Sequence, residues 1–228
     1  MNKLKIDKVY LISVALLAIT GFFIFSSASL GLLARNGASF QSVAMNQTIG
    51  LILGIIAFFI MSHLHYKKLK KYAFYILLGA IGVNLLLFIP AFALNHGGAS
   101  RWIDLGFITF QPSEFLKIAF IIYFAAWLSG LKEKVQTFKF GILPYVIIVG
   151  ILGILLLAQS DTDTLVVIAT TGLIMLFIAG GRIRHIAILC LIMLGLLGGL
   201  IYLRPYVRQR IMTFISGAGS DSQGAGYQ

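Results

Sequence analysis

Between Val9 and Leu203 the chain is a succession of apolar runs, each of roughly the 20 residues that carry a helix across a bilayer core, parted by short polar connectors. Seven spans emerge, near residues 9–34, 45–62, 72–94, 112–131, 142–158, 164–179 and 186–203. The expected fold is all-α: a polytopic membrane protein of seven transmembrane helices. Only 11% of residues are charged and mean hydropathy is +0.97, whereas soluble domains carry about 25% charge. The opening MNKLKIDK followed by an apolar run resembles a signal peptide. That run continues without an A-x-A cleavage site, so it reads as an uncleaved first helix. Cys190 stands alone in an apolar run, which rules out a disulfide framework and a thiol metal site. The fifth and sixth spans are joined only by Gln159 to Asp163, a tight helical hairpin, and Pro144 suits a first helical turn.

Orientation follows from where the basic residues lie. With the N-terminus in the cytoplasm, the inner connectors hold twelve Lys and Arg and the outer ones five, with Lys117 inside a span. The net charge of +11 is therefore a topological signal rather than a nucleic-acid signal. The cluster HLHYKKLKK reads as a cytoplasmic loop facing anionic membrane lipid, and no nucleic-acid partner is expected. Three features then share the outer side: the Gly97–Gln111 loop with the start of the fourth span, the 159–163 turn, and the tail from Arg204. GLILG at Gly50–Gly54 and GLLGG at Gly195–Gly199 read as sites where helices approach closely.

Within this apolar chain the stretch GGASRWIDLGFITFQPSEFLK, Gly97 to Lys117, is anomalous. It holds Arg101, Trp102, Asp104, Gln111, Ser113, Glu114 and Lys117. Pro112 and Glu114 make an ordinary helix start, the carboxylate complementing the dipole. Lys117 lies on the face of Glu114. The pair reads either as a capped helix whose lysine snorkels to the interface, or as the wall of a water-filled interior. Arg101-Trp102 reads as an interfacial anchor or, since arginine forks onto phosphate, as an anion contact. Asp161 and Asp163 precede the sixth span as helix caps. Asn84 is expected to hydrogen-bond between helices. His63, His65, His96 and His185 lack metal-ligand spacing, so no metal site is expected.

The residues Gly98, Arg101, Trp102, Gly106, Gln111, Pro112, Ser113, Glu114 and Lys117 resemble the signature of the SEDS family (shape, elongation, division and sporulation), which includes RodA, FtsW and SpoVE. Gln159, Asp161 and Thr164 resemble a second family pattern, Q/E-P-D-x-G-T. There Ser160 replaces the proline and Asp163 the glycine. Residues 204–228 resemble the opening of the family's large extracellular loop. The usual DP is absent, while Gly224, Gly226 and Tyr227 fit.

The resemblance implies a ten-span membrane glycosyltransferase that polymerises lipid II into peptidoglycan strands beside a class B penicillin-binding protein. Seven spans would be the first seven of ten. Arg101 and Lys117 would suit the diphosphate leaving group. Trp102, Gln111, Ser113, Glu114, Gln159, Asp161 and Thr164 would shape the substrate cavity. No catalytic residue is assigned here. The family's base is an Asp in a stretch resembling H-T-D-F, expected beyond Gln228, and the polar Gly-rich ending suggests a truncated reading frame. No cofactor is called for, and a divalent cation stays open. Two other readings share these features: a lipid II flippase, and a non-catalytic scaffold for the division or elongation machinery. The sequence does not separate an elongation-type from a division-type member.

Overall fold

The computed structural model describes residues 7–36, 40–90, 92–96, 99–104 and 109–203, together with residues 208 and 212. Most of the expected extracellular loop at 204–228, with Gly224, Gly226 and Tyr227, lies outside the described residues, as do Gly98 and Gly106 of the signature. The fold is helical, and the seven α-helices among the described residues fall into two compact units.

The first unit holds α1 (Lys8–Asn36) and α2 (Phe40–His63). Asp7 starts α1, its carboxylate accepting from the Val9 and Tyr10 N–H groups at 3.0 and 3.1 Å, which satisfies donors left over at a helix start. Thr20 and Ser26 donate to carbonyls one turn back, Leu16 O and Phe22 O, each at 2.7 Å. The two helices enclose a groove of about 410 Å³ lined wholly by apolar and small residues, Gly50 and Gly54 among them. A Cβ added at either glycine would meet open space, as it would at Gly195 and Gly199. Among the described residues none of these glycines marks a close approach, contrary to the expectation drawn from their spacing.

The second unit holds α3 (Tyr66–Leu85), α4 (Pro112–Leu128), α5 (Leu143–Ala158), α6 (Thr162–Ile178) and α7 (Ile183–Leu203). α4 packs along α3 and α6, and α6 along α5 and α7. In α4 the residues Leu116, Phe120 and Phe124, four apart, form one fully buried stripe. The Phe120 and Phe124 rings stack, centroids 5.5 Å apart. Leu152 and Leu156 of α5 and Ile168 and Leu176 of α6 complete the core. Helices of this unit approach closely at Gly172, where an added Cβ would stand 2.6 Å from the Tyr145 ring and 2.9 Å from the Phe120 ring.

The third span differs most from its sequence reading. Its helix starts at Tyr66, so Lys67, Lys68, Lys70 and Lys71 form the first turns of α3 rather than a loop; lysine is a good helix former and nothing here breaks the helix. It ends early as well. A 3₁₀ turn, Leu86–Phe88, gives way to an extended Ile89 at φ −94°, ψ 114°, the conformation that the following Pro90 imposes on its predecessor. Leu94, expected at the end of that span, belongs instead to strand β1 (Ala93–His96). β1 pairs antiparallel with β2 (Ala99–Asp104), with Ala93 opposite Ile103 and His96 opposite Ala99. A two-residue strand β3 (Thr109–Phe110) leads into α4. The all-α expectation therefore omits a small hairpin.

The α5–α6 connection is three residues long, Gln159 to Asp161. Ser160 adopts φ +58° and donates its N–H to Leu157 O at 3.2 Å, while Asp161 N–H donates to Leu156 O at 2.8 Å. This is a Schellman closure with a serine at the left-handed position where glycine is usual. α6 ends the same way, now with Gly180 at φ +88° and Gly181 N–H on Leu176 O at 2.9 Å.

Among the described residues four helical stretches are long and apolar enough to cross a bilayer: Lys8–Ser27, Tyr66–Phe88, Phe138–Ala158 and Ile183–Tyr202. Gln47–His63 and Thr162–Ile178 are apolar and shorter. The molecule is a multi-pass membrane protein.

Candidate functional site

The antiparallel order of α3 to α6 brings four helix ends together: the C-termini of α3 and α5 and the N-termini of α4 and α6. Lys67, Lys68, Lys70, Lys71, Lys139, Arg182 and Arg184 lie towards the opposite end of the same helices. Polar side chains buried at the first end tie those helices to one another.

Asn84, fully buried near the end of α3, donates from Nδ2 to Ala80 O at 2.9 Å and across to Pro112 O at 3.2 Å. That is the interhelical bond its position implies. Gln159, 3% exposed, donates from Nε2 to Asn84 O at 3.1 Å. One amide thus joins α3 to α4 and the next joins α5 to α3, the second at a carbonyl near the C-terminal end of α3, where a helix leaves carbonyls over. Ser113, 1% exposed in the first turn of α4, accepts from Gln111 Nε2 at 3.0 Å. Asp161, 2% exposed, caps α6 by accepting from the N–H of Thr164, itself buried, at 3.4 Å.

A buried carboxylate needs a counter-charge. Arg101 supplies it from β2. Its Nη1 lies 3.9 Å from Asp161 Oδ1 and 3.8 Å from Asp163 Oδ2, and its Nη2 donates to the Ser160 carbonyl. Successive strand side chains face opposite ways. Arg101 and Ile103 accordingly point inward, while Trp102 between them is 41% exposed on the other face of the hairpin.

Glu114 and Lys117 stand apart from this knot. They pair with each other at 2.8 Å on the outer face of α4, with side chains 54% and 26% exposed. The expected site residues therefore form two groups. Arg101, Gln111, Ser113, Gln159, Asp161 and Thr164 belong to the interhelical knot, whereas Glu114, Lys117 and Trp102 present themselves outward. The knot carries acceptor capacity beyond its own donors: Asn84 Oδ1, Gln159 Oε1 and Asp161 Oδ2 are buried with no protein donor among the described residues. Such oxygens can accept from the hydroxyl or N–H groups of a ligand.

Sequence reasoning did not pick out Ser160 or Asp163 as partners of Arg101, nor Asn84 as a member of the cluster. The signal was there in part, because the Gly97–Gln111 loop and the 159–163 turn fall on one side of the expected topology. Which groups meet across that side depends on the Ser160 backbone, and one residue type does not reveal it.

The profile of the FtsW/RodA/SpoVE family, described as cell cycle proteins, matches residues 7–228. The chain is 31% identical over 222 residues to the probable peptidoglycan glycosyltransferase FtsW of Geobacter sp. (strain M18), covering 97% of this chain and 60% of that one. It is 33% identical over 216 residues to the FtsW of Coxiella burnetii, covering 95% and 58%. Stage V sporulation protein E of Bacillus subtilis is 30% identical over 185 residues, covering 81% and 50%. Among solved structures, a chain of a peptidoglycan synthase complex that coordinates polymerization and crosslinking superposes with a TM-score of 0.69 at 22% identity, covering 94% of this chain and 60% of that one. The rod shape determining protein RodA of Thermus thermophilus gives 0.61 at 23% identity, covering 84% and 61%. At those identities the likeness is one of fold. The chain spans 50% to 60% of the length of the three curated relatives.

Proposed function

The chain belongs to the FtsW/RodA/SpoVE family of cell cycle proteins, and from that membership we propose that the whole protein is a peptidoglycan glycosyltransferase. It polymerises lipid II in the bacterial cell membrane during elongation or division. The observation that carries this reading is a family match running unbroken through all seven helices and both motifs.

The chemistry expected of such an enzyme is attack by a sugar hydroxyl on the anomeric carbon of a second lipid-linked disaccharide, with the diphosphate leaving. Charge accumulates on that leaving group, and a nearby cation lowers the barrier. Lys117 suits the role. It is partly exposed, and its partner Glu114 is a still more accessible carboxylate that a phosphate can replace. The knot at the four helix ends keeps the start of α4, and with it Lys117, in place. Neither Asp161, committed to Arg101 and the α6 N-terminus, nor Glu114, committed to Lys117, is assigned as general base. The basic end of the bundle faces the cytoplasm under the positive-inside rule, which puts the knot on the outer side. A class B penicillin-binding protein is the proposed partner, supported by the likeness to a chain from a peptidoglycan synthase complex.

The test is polymerisation of fluorescent lipid II by the full-length protein in liposomes, with and without its partner. Glycan ladders are expected from the wild type, with a fall of about a hundredfold in Lys117→Ala at equal membrane abundance. Transfer of lipid II between leaflets without any polymer would sink the glycosyltransferase reading in favour of a transporter.

A further inference from the structure

Both departures from the Q/E-P-D-x-G-T pattern converge on one side chain. Ser160 stands where the pattern has proline. Its φ of +58° and its N–H bond to Leu157 O are both beyond proline, whose φ is fixed near −65° and which has no N–H. The carbonyl of this serine is the one to which Arg101 donates. Asp163 stands where the pattern has glycine, and its carboxylate lies 3.8 Å from Arg101 Nη1. Asp161, which the pattern shares, lies 3.9 Å from the same nitrogen.

We propose that Arg101 in this chain is a strap rather than an anion ligand: it ties the β1–β2 hairpin to the α5–α6 turn, and Ser160 and Asp163 commit it to that task. One guanidinium here faces two carboxylates and a carbonyl oxygen, so its charge is already engaged. A phosphate approaching it would have to displace acceptors already in place. The geometry also divides the labour. Asp163 is 59% exposed, and alone would be a weak, screened partner. The Ser160 carbonyl and the buried Asp161 fix the direction of the fork, and Asp163 closes it from the solvent side. Proline and glycine at 160 and 163 would remove the left-handed turn and one of the two carboxylates, leaving the arginine freer. The strap stands whether or not the protein polymerises lipid II.

The test is amide hydrogen exchange by mass spectrometry on the protein in nanodiscs, read at residues 93–104. Exchange there should quicken about tenfold in Arg101→Ala and severalfold in the double variant Ser160→Pro/Asp163→Gly, with α3 to α6 unchanged. Arg101→Lys should fall between wild type and Arg101→Ala, because an ammonium keeps the charge but not the fork. Ser160→Gly, which keeps the left-handed turn, should match wild type. A second arm adds inorganic pyrophosphate, which should give the hairpin no protection. Unchanged exchange in Arg101→Ala overturns the proposal. So does pyrophosphate protection of residues 93–104 in the wild type that Arg101→Ala abolishes, since that is the behaviour of a phosphate ligand. Should Arg101→Ala fail to fold, Arg101→Lys carries the test: faster hairpin exchange supports the strap, and wild-type exchange overturns it. The readout involves no lipid II, so its failure and that of the glycosyltransferase reading are separate events.

Discussion

The α1–α2 pair and the α3–α7 bundle are built from similarly apolar helices, yet they hold themselves together differently. Along Lys8–Ser27 no residue is buried, whereas seven residues of Phe138–Ala158 are. Hydrophobicity does not explain the contrast, because lipid is as good a solvent for leucine as another helix is. What differs is where the few polar and small residues send their contacts. In α1, Thr20 bonds to its own helix. In the bundle, Asn84 reaches Pro112 O, Gln159 reaches Asn84 O, and Tyr145 Oη donates to Ala169 O at 2.8 Å. Among the described residues a Cβ added at Gly50 or Gly54 would meet nothing, while at Gly172 it would run into two aromatic rings. Tertiary structure in an apolar chain is specified by the groups that a single helix cannot satisfy.

Paired substitutions, one in each region, would break or sharpen this comparison, with stability read as unfolding of the protein in detergent. The largest gap is expected between Phe120→Ala and Phe23→Ala. Phe120 is fully buried and its loss should cost about 3–5 kcal/mol. Phe23 is 68% exposed, and its loss should cost no more than about 0.5 kcal/mol. Equal costs would mean that α1 buries this face as the bundle does. Next come Gly172→Ala and Gly54→Ala. The first should destabilise by about 1–3 kcal/mol through overpacking against Tyr145 and Phe120. The second should be neutral or slightly stabilising, because alanine is the better helix former and the space is open. The smallest contrast is Tyr145→Phe against Thr20→Val. Losing an interhelical hydrogen bond to Ala169 O should cost about 1 kcal/mol. Losing a bond that Thr20 makes within its own helix should cost almost nothing, and a reversed order would refute the contrast.

Much of this was legible beforehand, for physical reasons that also mark the limit. Apolar runs of bilayer length declare helices, because backbone groups in lipid must be satisfied locally. The polar residues of the Gly97–Lys117 stretch and of the 159–164 turn declare a shared polar end once the helices alternate in direction. The start of α3 was hidden because lysines read as a loop when judged by charge and as a helix when judged by propensity. Its end was announced by Pro90, whose effect on Ile89 outweighs the hydrophobicity of the residues beyond it. The glycine spacings misled because close packing needs a partner opposite the notch, and spacing along one helix does not supply one. The partners of Arg101 were hidden for a third reason. They include a backbone carbonyl whose direction depends on a serine in a left-handed conformation.

The three-residue link between α5 and α6 also constrains how the protein is made. A translocon releasing α5 alone would leave Gln159 and Asp161 without Asn84 and Arg101, and a carboxylate near the bilayer edge without its counter-charge. A link that short spans at most about 10 Å, too little for one helix to cross while the other waits outside. The two helices are therefore held as one hairpin, whose polar turn is complete only where Asn84 and Arg101 stand beside it.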